Sequence, residues 1–307
     1  MRIAIMGTGA VGAYFGAHLA RGGHDVTFVA RGEHLQAMRE RGLSVVGPRG
    51  DFSLPKVNAT ANPAEIGAVD VVLMCVKLYD TESAARQIAP LLSNGGVCIS
   101  LQNGVDAQER MGGIVGHDRV MGGLAFVSGV IEAPGIIRYA SEMSTIRYGE
   151  SNGSMSARAV AFRDACEAAG FKAELVADIR AAQWQKMVGL ASNAALSCVV
   201  RQPAGVVYND PDLIEVARGA FSEVKAVAEA QGIAMPHDIV ERTLAMHQNF
   251  PPAMYASMYH DLARGRRLEL DSLSGVVIRK GRELGVPTPV HTMAYAFLKP
   301  YMHGEIK

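Results

Sequence analysis

The chain of 307 residues carries 30 basic and 30 acidic side chains, and 49% of its residues are hydrophobic. This length predicts two domains, and the apolar content is sufficient for two buried cores. The balanced charge excludes the basic surface that nucleic-acid-binding proteins present. Because no apolar stretch approaches the roughly 18 residues of a membrane span, we expect a small-molecule partner, with neither nucleic acid nor membrane.

Cysteines and histidines give no sign of a metal centre or of disulfides. The nine histidines are scattered, and the sequence contains neither CxxC nor HExxH, so no metal site is expected. Cysteines in apolar runs are typically small core residues of proteins in a reducing compartment, which predicts a cytoplasmic location. The four cysteines are Cys75, Cys98, Cys166 and Cys198.

Strand and helix patterns alternate in the first half of the chain. Arg2–Met6 predicts a strand, Gly12–Arg21 a helix and Asp25–Ala30 a second strand, which together make a βαβ unit. Leu43–Val57 predicts an inserted hairpin, and Thr81–Leu92 is one of the later helical patterns. Further strands are predicted at Val69–Val76, Val97–Leu101, Val120–Val127, Ile136–Tyr139 and Thr145–Tyr148. An antiparallel pairing is left open for the last two.

The second half of the chain has a different character, because strand patterns end near Ala177–Asp178. Helical periodicity covers Ile179–Val200, Pro211–Gln231, Pro236–Gln248, Tyr255–Ala263, Glu269–Leu284 and His291–Met302. The predicted fold class is therefore α/β, with an N-terminal Rossmann-type doubly wound sheet and a C-terminal all-α domain. We expect residues 1–177 to bind the cofactor and residues 178–307 to hold the substrate and the catalytic residues.

The turn after the first strand reads GTGAVG, and its spacing is typical of dinucleotide-binding loops. In such loops the glycines allow a tight turn, a close approach of the backbone to the pyrophosphate, and close packing of helix on strand. The helix that follows offers free N–H groups to the phosphates. A glycine-rich turn that packs without a ligand is the alternative. The predicted cofactor-binding residues of this turn are Gly7, Thr8, Gly9, Ala10, Val11 and Gly12.

The residue after the second strand distinguishes between the two nicotinamide dinucleotides. Proteins that use NAD usually place an acidic residue there to bind the ribose 2′-hydroxyl, whereas this chain has Arg31. A guanidinium suits a 2′-phosphate, which it can bind through bidentate charge-assisted hydrogen bonds. NADPH is therefore the expected cofactor, and an ordinary surface arginine is the alternative.

Two more candidate residues follow strands of the predicted sheet, where open α/β sheets bind ligands. Lys77 ends the strand in VVLMCVK and can reach phosphates of the cofactor, or simply be solvated. Asn103 follows the next strand, in LQNGVD, and can contact the nicotinamide ribose or a substrate. An ordinary Asn-Gly turn is the alternative for Asn103.

A lysine stands on a helix that is otherwise built for burial, in AAQWQKMVGLASNAALSCVV. At about 100° per residue, Asn193 and Ser197 fall within roughly 20° of Lys186 on this helix. Lysine is rarely buried without a partner, so Lys186 either extends its amine to solvent at the domain edge or is a catalytic acid. Desolvation lowers the pKa of a lysine toward the range in which it can donate a proton near neutral pH.

Two further candidates lie in SMYHDLARGRRLELD. Glu269 is expected in the first turn of a helix, where it can be catalytic or simply stabilised by the helix dipole. Ser257, in the preceding helix, can donate to a substrate carboxylate or hydrogen-bond its own backbone.

In this order, the motifs resemble those of the ketopantoate reductases (2-dehydropantoate 2-reductases) over essentially the whole chain. The resemblance rests on GTGAVG, Arg31, Val76–Lys77, the QNG motif at 102–104, Trp184-x-Lys186, and the spacing from Ser257 to Glu269. It implies reduction of 2-dehydropantoate to pantoate by NADPH, within pantothenate and coenzyme A biosynthesis. It also implies roles for four residues: Lys186 as general acid, Glu269 in contact with substrate or cofactor, Asn103 near the nicotinamide, and Ser257 on the substrate carboxylate.

The chain departs from the family pattern on the lysine helix. The family usually has asparagines four and eight residues after the lysine, where this chain has Leu190 and Ala194. Asn193 faces the same side as Lys186 and can replace one of them as a substrate ligand. We therefore expect a 2-keto acid reductase with 2-dehydropantoate as the first candidate substrate. A reductase of another 2-keto acid and a non-catalytic NADP-sensing module are the alternatives, and a homodimer is left open.

Overall fold

The computed structural model describes residues 1–140 and 142–304, which form two compact units. The first unit consists of Met1–Asn103 and Ala107–Ile179, and the second of Gly104–Asp106 and the residues from Arg180 onward. Residues 104–106 thus group with the helical unit, whereas the sequence analysis places them in the cofactor domain. Val105 packs against the helical core, which accounts for this grouping.

Among its described residues, the first unit contains twelve strands and five α-helices. Their bounds are β1 Arg2–Met6, α1 Ala10–Arg21, β2 Asp25–Val29, α2 Gly32–Arg41, β3 Leu43–Val46, β4 Phe52–Leu54, β5 Asn58–Thr60, β6 Val71–Met74, α3 Thr81–Ile88, β7 Val97–Ser100, α4 Ala107–Val115, β8 Val120–Phe126, β9 Gly129–Ala133, β10 Ile136–Tyr139, β11 Thr145–Gly149, α5 Ala157–Ala168 and β12 Lys172–Leu175. Strands β3–β6 and β8–β11 follow one another without a described α-helix between them.

Eight of these strands form the main sheet, in the order β12-β11-β8-β7-β6-β1-β2-β5. Pairing is parallel from β5 to β8, and the central strands β1, β6 and β7 are buried and apolar, as expected of a sheet covered on both faces. The predicted Rossmann-type class is confirmed. The pairing left open for Thr145–Tyr148 is antiparallel, since β11 runs against β8 and parallel to β12.

The predicted hairpin at 43–57 exists as β3 and β4, but it belongs to a second sheet with the order β4-β3-β10-β9. This small sheet packs on α1, where the rings of Tyr14 and Tyr139 lie 4.9 Å apart. Strands β5, β9 and β12 were not predicted. β9 is largely exposed, and β5 and β12 are only three and four residues long, so none of them shows a clear hydrophobic pattern.

The regular elements of the second unit are all helices within its described residues. Its helices are α6 Ile179–Val200, α7 Ala204–Val207, α8 Pro211–Ala230, α9 Ile239–Gln248, α10 Ser257–Ala263, α11 Ser274–Leu284 and α12 Pro289–Leu298. The start predicted at Pro236 is three residues early, because a turn that bonds the Ile239 N–H to the Pro236 carbonyl precedes α9. α12 starts earlier than predicted, because the Glu223 carboxylate accepts the N–H groups of Val290 and His291 in its first turn.

Each unit has its own apolar core. The core of the second unit includes Trp184, Tyr208 and Phe221, all essentially buried. No helix within residues 1–140 and 142–304 is both long and apolar enough to span a membrane. The four cysteines are free thiols, and burial raises the pKa of Cys198 to about 12.

Candidate functional site

Three of the four glycines near the N-terminus are required by the protein's own packing. Gly7 has a φ of +99°, and a Cβ there would lie 2.8 Å from the Val76 nitrogen. A Cβ at Gly12 would overlap the carbonyl oxygen of Gly7, and one at Gly16 would lie 2.5 Å from the ring of Phe28. These glycines let the loop turn and let α1 lie close against the sheet.

Gly9 has no such reason within the protein. Its φ of −77° suits any residue, and no described atom lies within 4 Å of the position that its Cβ would take. Gly9 is also the N-cap of α1, whose first turn has no acidic residue and whose cap is made by no side chain. The missing side chain and the N–H groups at this helix start fit the pyrophosphate of a dinucleotide.

Thr8 anchors the glycine loop to the end of β2. Its backbone N–H and its hydroxyl both donate to the Val29 carbonyl, at 3.0 and 2.9 Å, and the residue is 5% exposed. Thr8 was predicted to bind the cofactor as part of the glycine turn, and its hydroxyl is committed to the last residue of β2. This anchor fixes the glycine loop against the strand end that leads to Arg31.

Arg31 is exposed at the start of α2, of which it is the N-cap in an extended conformation. Within the described part of the chain, no acidic side chain or carbonyl group binds its guanidinium. It stands next to β1 in the sheet order, because β2 is the neighbour of β1. A guanidinium without a protein partner beside a dinucleotide loop fits a phosphate ligand.

Lys77 and Asn103 lie at the carboxyl ends of adjacent strands, and a buried glutamine joins their loops. Gln102 Nε2 donates to the Val76 carbonyl at 3.0 Å and to the Thr81 hydroxyl at 2.9 Å. Its Oε1 accepts from Ser100 at 3.2 Å. Gly104 has a φ of +146°, which agrees with a turn after Asn103.

Gln102 was not predicted as a functional residue. It is 5% exposed, and its side chain holds the carbonyl of the residue before Lys77 while its own backbone leads into Asn103. The sequence shows only a glutamine beside an Asn-Gly pair. Its role depends on the spacing of two strands that are distant in sequence, so no local pattern could reveal it.

Lys186 lies in the first half of α6, surrounded along the helix by the buried residues Trp184, Met187 and Val188. The lysine itself is partly buried. Burial lowers the pKa of its amine to about 8. A cationic lysine with this pKa can release a proton near neutral pH, which a solvated lysine cannot do efficiently.

Asn193 lies two turns farther along α6 and is partly exposed. Its Oδ1 accepts hydrogen bonds from the Tyr208 hydroxyl at 2.9 Å and the Ser197 hydroxyl at 3.2 Å. The polar line predicted from Lys186 to Ser197 thus includes a contact between Asn193 and Ser197. Tyr208 was missed, because nothing in its local sequence distinguishes it from an ordinary core tyrosine.

The two positions that depart from the family pattern provide apolar packing. Ala194 is 3% exposed and belongs to the core of the second unit, and Leu190 packs partly against the same core. Hydrogen-bonding side chains are therefore replaced by alkyl groups at both positions.

Ser257 and Glu269 differ in burial and in the element that carries them. Ser257 is exposed at the first residue of α10. Glu269 is 7% exposed and precedes a 3₁₀ turn at Leu270–Ser272, so the prediction that it lies in the first turn of the following helix is wrong. α11 begins only at Ser274, because Leu273 takes a non-helical conformation with ψ of −92°. A helix dipole therefore does not explain Glu269.

Metal ligands are not clustered in the part of the chain that the structure describes. No group of three or more His, Cys, Asp or Glu side chains there is placed to hold an ion.

Comparison with known proteins gives the family. Residues 3–153 match the model described as ketopantoate reductase PanE/ApbA, and residues 178–302 match its C-terminal counterpart. The chain belongs to the ketopantoate reductase PanE/ApbA family. It is therefore an oxidoreductase that acts on a CH–OH group, and membership supports a nicotinamide cofactor.

Relatives extend over the whole length of the chain. It is 33% identical to a 2-dehydropantoate 2-reductase of Archaeoglobus fulgidus, over 94% of each chain. The crystal structure of a PanE/ApbA family ketopantoate reductase from Ralstonia eutropha JMP134 has a TM-score of 0.91 at 32% identity, covering 98% of each chain. A ternary D-mandelate dehydrogenase structure with NADH and anilino(oxo)acetate has a TM-score of 0.89 at 21% identity, covering 98% of each chain, which shows the shared fold alone.

Proposed function

We propose that this protein reduces a 2-keto acid with NADPH, and that 2-dehydropantoate is its substrate. The observation that carries the chemistry is Lys186, a partly buried amine whose pKa burial lowers to about 8. Family membership supports the reaction type, and the curated relatives named 2-dehydropantoate 2-reductase support the substrate. The product would be pantoate, which places the enzyme in pantothenate and coenzyme A biosynthesis.

The first unit supplies the proposed cofactor site. The open space at Gly9 and the N–H groups that begin α1 would hold the pyrophosphate. Arg31 would bind the 2′-phosphate, since its guanidinium is exposed and has no protein partner among the described residues. Lys77 and Asn103, whose loops Gln102 joins, would bind the remainder of the cofactor. When bound, the cofactor supplies hydride to the keto carbon.

The second unit supplies the proton and the substrate ligands. Negative charge develops on the keto oxygen as the carbonyl is reduced, and Lys186 would neutralise that charge by donating its proton. Ser257 and Asn193 would hold the substrate by hydrogen bonds. Glu269, which is buried, would contact the substrate hydroxyl or the cofactor.

A reductase of a different 2-keto acid is the second candidate, and a specific observation favours it. Leu190 and Ala194 place alkyl groups where the family pattern has amides, so the surface around Lys186 is more apolar than that pattern implies. A D-mandelate dehydrogenase shares the fold. Such a change favours a keto acid with a larger apolar substituent.

The deciding experiment is NADPH oxidation by the purified protein with 2-dehydropantoate, 2-ketoisovalerate and phenylglyoxylate. We expect kcat/KM to be highest for 2-dehydropantoate, and at least tenfold higher with NADPH than with NADH. Preference for phenylglyoxylate would establish the second candidate. Tight binding of NADPH without turnover of any keto acid would instead identify a cofactor-sensing module. The open question of a homodimer is answered by light scattering on the same sample.

A further inference from the structure

Tyr208 supports the polar face of α6 from the protein interior. It directly follows α7, and its ring is fully buried, with its centroid 4.8 Å from that of His247. Its hydroxyl donates to Asn193 Oδ1 at 2.9 Å, and burial raises the pKa of this phenol well above its usual range. Among residues 1–140 and 142–304, no second acceptor receives the phenolic proton.

This hydrogen bond determines how the Asn193 amide is turned. Oδ1 accepts from both Tyr208 and Ser197. The opposite orientation would direct Nδ2 at the buried phenol and leave the phenolic proton without an acceptor, which is costly in a protein interior. Oδ1 therefore faces the interior, and the partly exposed Asn193 presents outward only the two N–H donors of Nδ2.

These donors lie on the face of α6 that carries Lys186. Seven residues separate Asn193 from Lys186, which corresponds to a rotation of about 20° and a rise of about 10 Å along the helix. A substrate that receives a proton from Lys186 would therefore have the Asn193 Nδ2 group farther along the same face of the helix. That group can donate hydrogen bonds but cannot accept them. The matching partner for such a group is an oxygen with free lone pairs, and an anionic oxygen forms the stronger hydrogen bond.

The same tyrosine is linked to the segment that carries Ser257. At the start of α7, the Ala204 N–H donates to the Met254 carbonyl at 2.8 Å and the Gly205 N–H donates to the Pro252 carbonyl at 3.0 Å. Those acceptors lie in the loop that leads into α10 and Ser257. Tyr208 contacts Asn193, and α7, which precedes Tyr208, is hydrogen-bonded to the loop before Ser257. The Asn193 amide and the Ser257 hydroxyl are therefore linked through α7.

We propose that Asn193 binds the carboxylate of the keto acid through its outward N–H donors, and that Tyr208 is the positioning residue that holds the amide in that orientation. This inference rests on the proposed 2-keto acid reductase function. It identifies how the chain replaces the amides missing at Leu190 and Ala194, with a residue on a neighbouring position of the same helix.

The sharpest test is Asn193→Asp. This change keeps an oxygen toward Tyr208 and Ser197 and replaces only the outward N–H₂ by a carboxylate oxygen, which repels a substrate carboxylate. We expect KM to rise at least thirtyfold for both 2-dehydropantoate and 2-ketoisovalerate, while the dissociation constant of NADPH stays within twofold. The matched control is Asn209→Asp, which adds the same charge at an exposed position next to Tyr208 and should leave both KM values within twofold.

Tyr208→Phe tests the positioning role. The ring remains in the core and only the donor is lost, so the amide can turn over. KM for the keto acids should rise about threefold to tenfold, with kcat within twofold of the unmodified protein. Tyr148→Phe is the control, because it removes another buried hydroxyl, which donates to the Ala159 carbonyl at 2.6 Å in the first unit. A loss of stability alone would affect both variants and would not separate KM from kcat.

A binding measurement keeps this inference distinct from the proposed function. The single tryptophan, Trp184, lies two residues from Lys186, so its fluorescence can follow titration with either keto acid in the presence of NADP⁺. Turnover by the unmodified protein with unchanged KM in Asn193→Asp would overturn the carboxylate assignment and leave the function standing. An effect on 2-dehydropantoate alone would also overturn it, since the amide would then bind the hydroxyl. Binding that depends on Asn193 without turnover would support the inference and refute the function. Absence of both binding and turnover would refute both.

Discussion

The two units of the molecule present their proposed functional groups in opposite ways. In the first unit the decisive feature is an absent side chain: no atom of the described residues lies within 4 Å of the position that a Cβ of Gly9 would take at the start of α1. In the second unit the decisive feature is a set of polar side chains, from Lys186 to Asn193, on a helix with an apolar environment. Under the proposed function, the first unit would hold a large cofactor through backbone N–H groups, and the second would act on a small substrate through side chains.

This difference affects how sensitive each half of the proposed site is to substitutions. Backbone N–H groups at a helix start are aimed by the helix itself, so the first half requires only that nothing obstruct them. Side chains on α6 need a second layer to hold them, which Tyr208 and Ser197 provide for Asn193. The first half should therefore tolerate changes that preserve its open space, and the second should respond to single hydrogen bonds.

The largest effect is expected at Lys186. Lys186→Ala removes the proposed proton donor, and general acid catalysis typically contributes about 10²- to 10⁴-fold in rate. We expect kcat to fall at least a hundredfold. The NADPH dissociation constant, measured by fluorescence titration, should stay within threefold, because the proposed cofactor residues belong to the other unit. A variant that retained more than a tenth of the original kcat would remove Lys186 from the mechanism.

The pH dependence of kcat gives a second measurement on the same residue. The amine must be protonated to act as an acid, so activity is full below the pKa of about 8 and declines as the pH rises through it. We expect log kcat to fall with a slope of −1 above about pH 8. A profile that stays flat to pH 10 would show that another group donates the proton.

The sequence predicts much of the fold and of the candidate site, but it predicts more of the first unit than of the second. The glycine loop, the strand before it and the helix after it are contiguous, so their spacing alone predicts the βαβ unit and the position of Arg31. Three of the four strands of the inserted sheet are predicted, but their assembly into one sheet is not, because β10 pairs with β3 across almost a hundred residues. No local pattern encodes such a pairing.

In the second unit the sequence indicates which residues are unusual but not what orients them. Helical geometry alone places Asn193 on the face of Lys186. The roles of Tyr208 and Gln102 depend on tertiary contacts, and each resembles an ordinary core residue when read alone. Glu269 was misplaced because the buried residues Leu268, Leu270 and Leu273 around it resemble the apolar face of a helix. The sequence does not show that a 3₁₀ turn at Leu270–Ser272 precedes α11.

The next largest effect is expected on stability in acid, because the first unit contains a half-buried histidine, His18, and the second a fully buried one, His291. Burial lowers the pKa of His18 in the first unit and of His291 in the second to about 4. Because each is neutral in the folded protein, stability is full above the unfolded pKa of about 6.5 and is lost as the pH falls toward 4. For His291, which is fully buried, this shift corresponds to about 3 kcal/mol of unfolding free energy over that interval. The contribution of the half-buried His18 is smaller, because solvent screens its charge.

Trp184 allows the two histidines to be separated, because the only tryptophan lies in the second unit. Urea unfolding followed by its fluorescence at pH 7 and pH 4.5 should show the loss caused by His291, which contacts Ser192 and Ser274 through its two ring nitrogens. His291→Gln should reduce that loss, and His18→Phe should not. Equal changes in both variants would mean that the units unfold as one.

A smaller effect is expected at Arg31. Arg31→Ala removes one or two charge-assisted hydrogen bonds to a 2′-phosphate, each worth about 1.5–3 kcal/mol. KM for NADPH should rise more than tenfold, with little change for NADH, which has no such phosphate. Arg39→Ala, at another exposed arginine of α2, is the control. If both cofactors lose affinity equally, or neither does, Arg31 is not the phosphate ligand.

The smallest effect, and the most direct measure of the open space in the first unit, is expected at Gly9. Gly9→Ala adds one methyl group where no described protein atom lies within 4 Å and where φ is −77°. The lower entropy of the unfolded chain then offsets the poorer N-cap that alanine makes. The methyl group occupies only the volume proposed for the pyrophosphate, and we expect KM for NADPH to rise about threefold to tenfold with little change in the melting temperature.

Gly113→Ala is the matched control, because Gly113 on α4 also has open space around its Cβ position and no positive φ. Gly12→Ala, by contrast, should lower the melting temperature, since its methyl group overlaps the Gly7 carbonyl. An unchanged KM in Gly9→Ala would mean that the cofactor does not approach this turn. The contrast between backbone binding in the first unit and side-chain binding in the second would then be wrong.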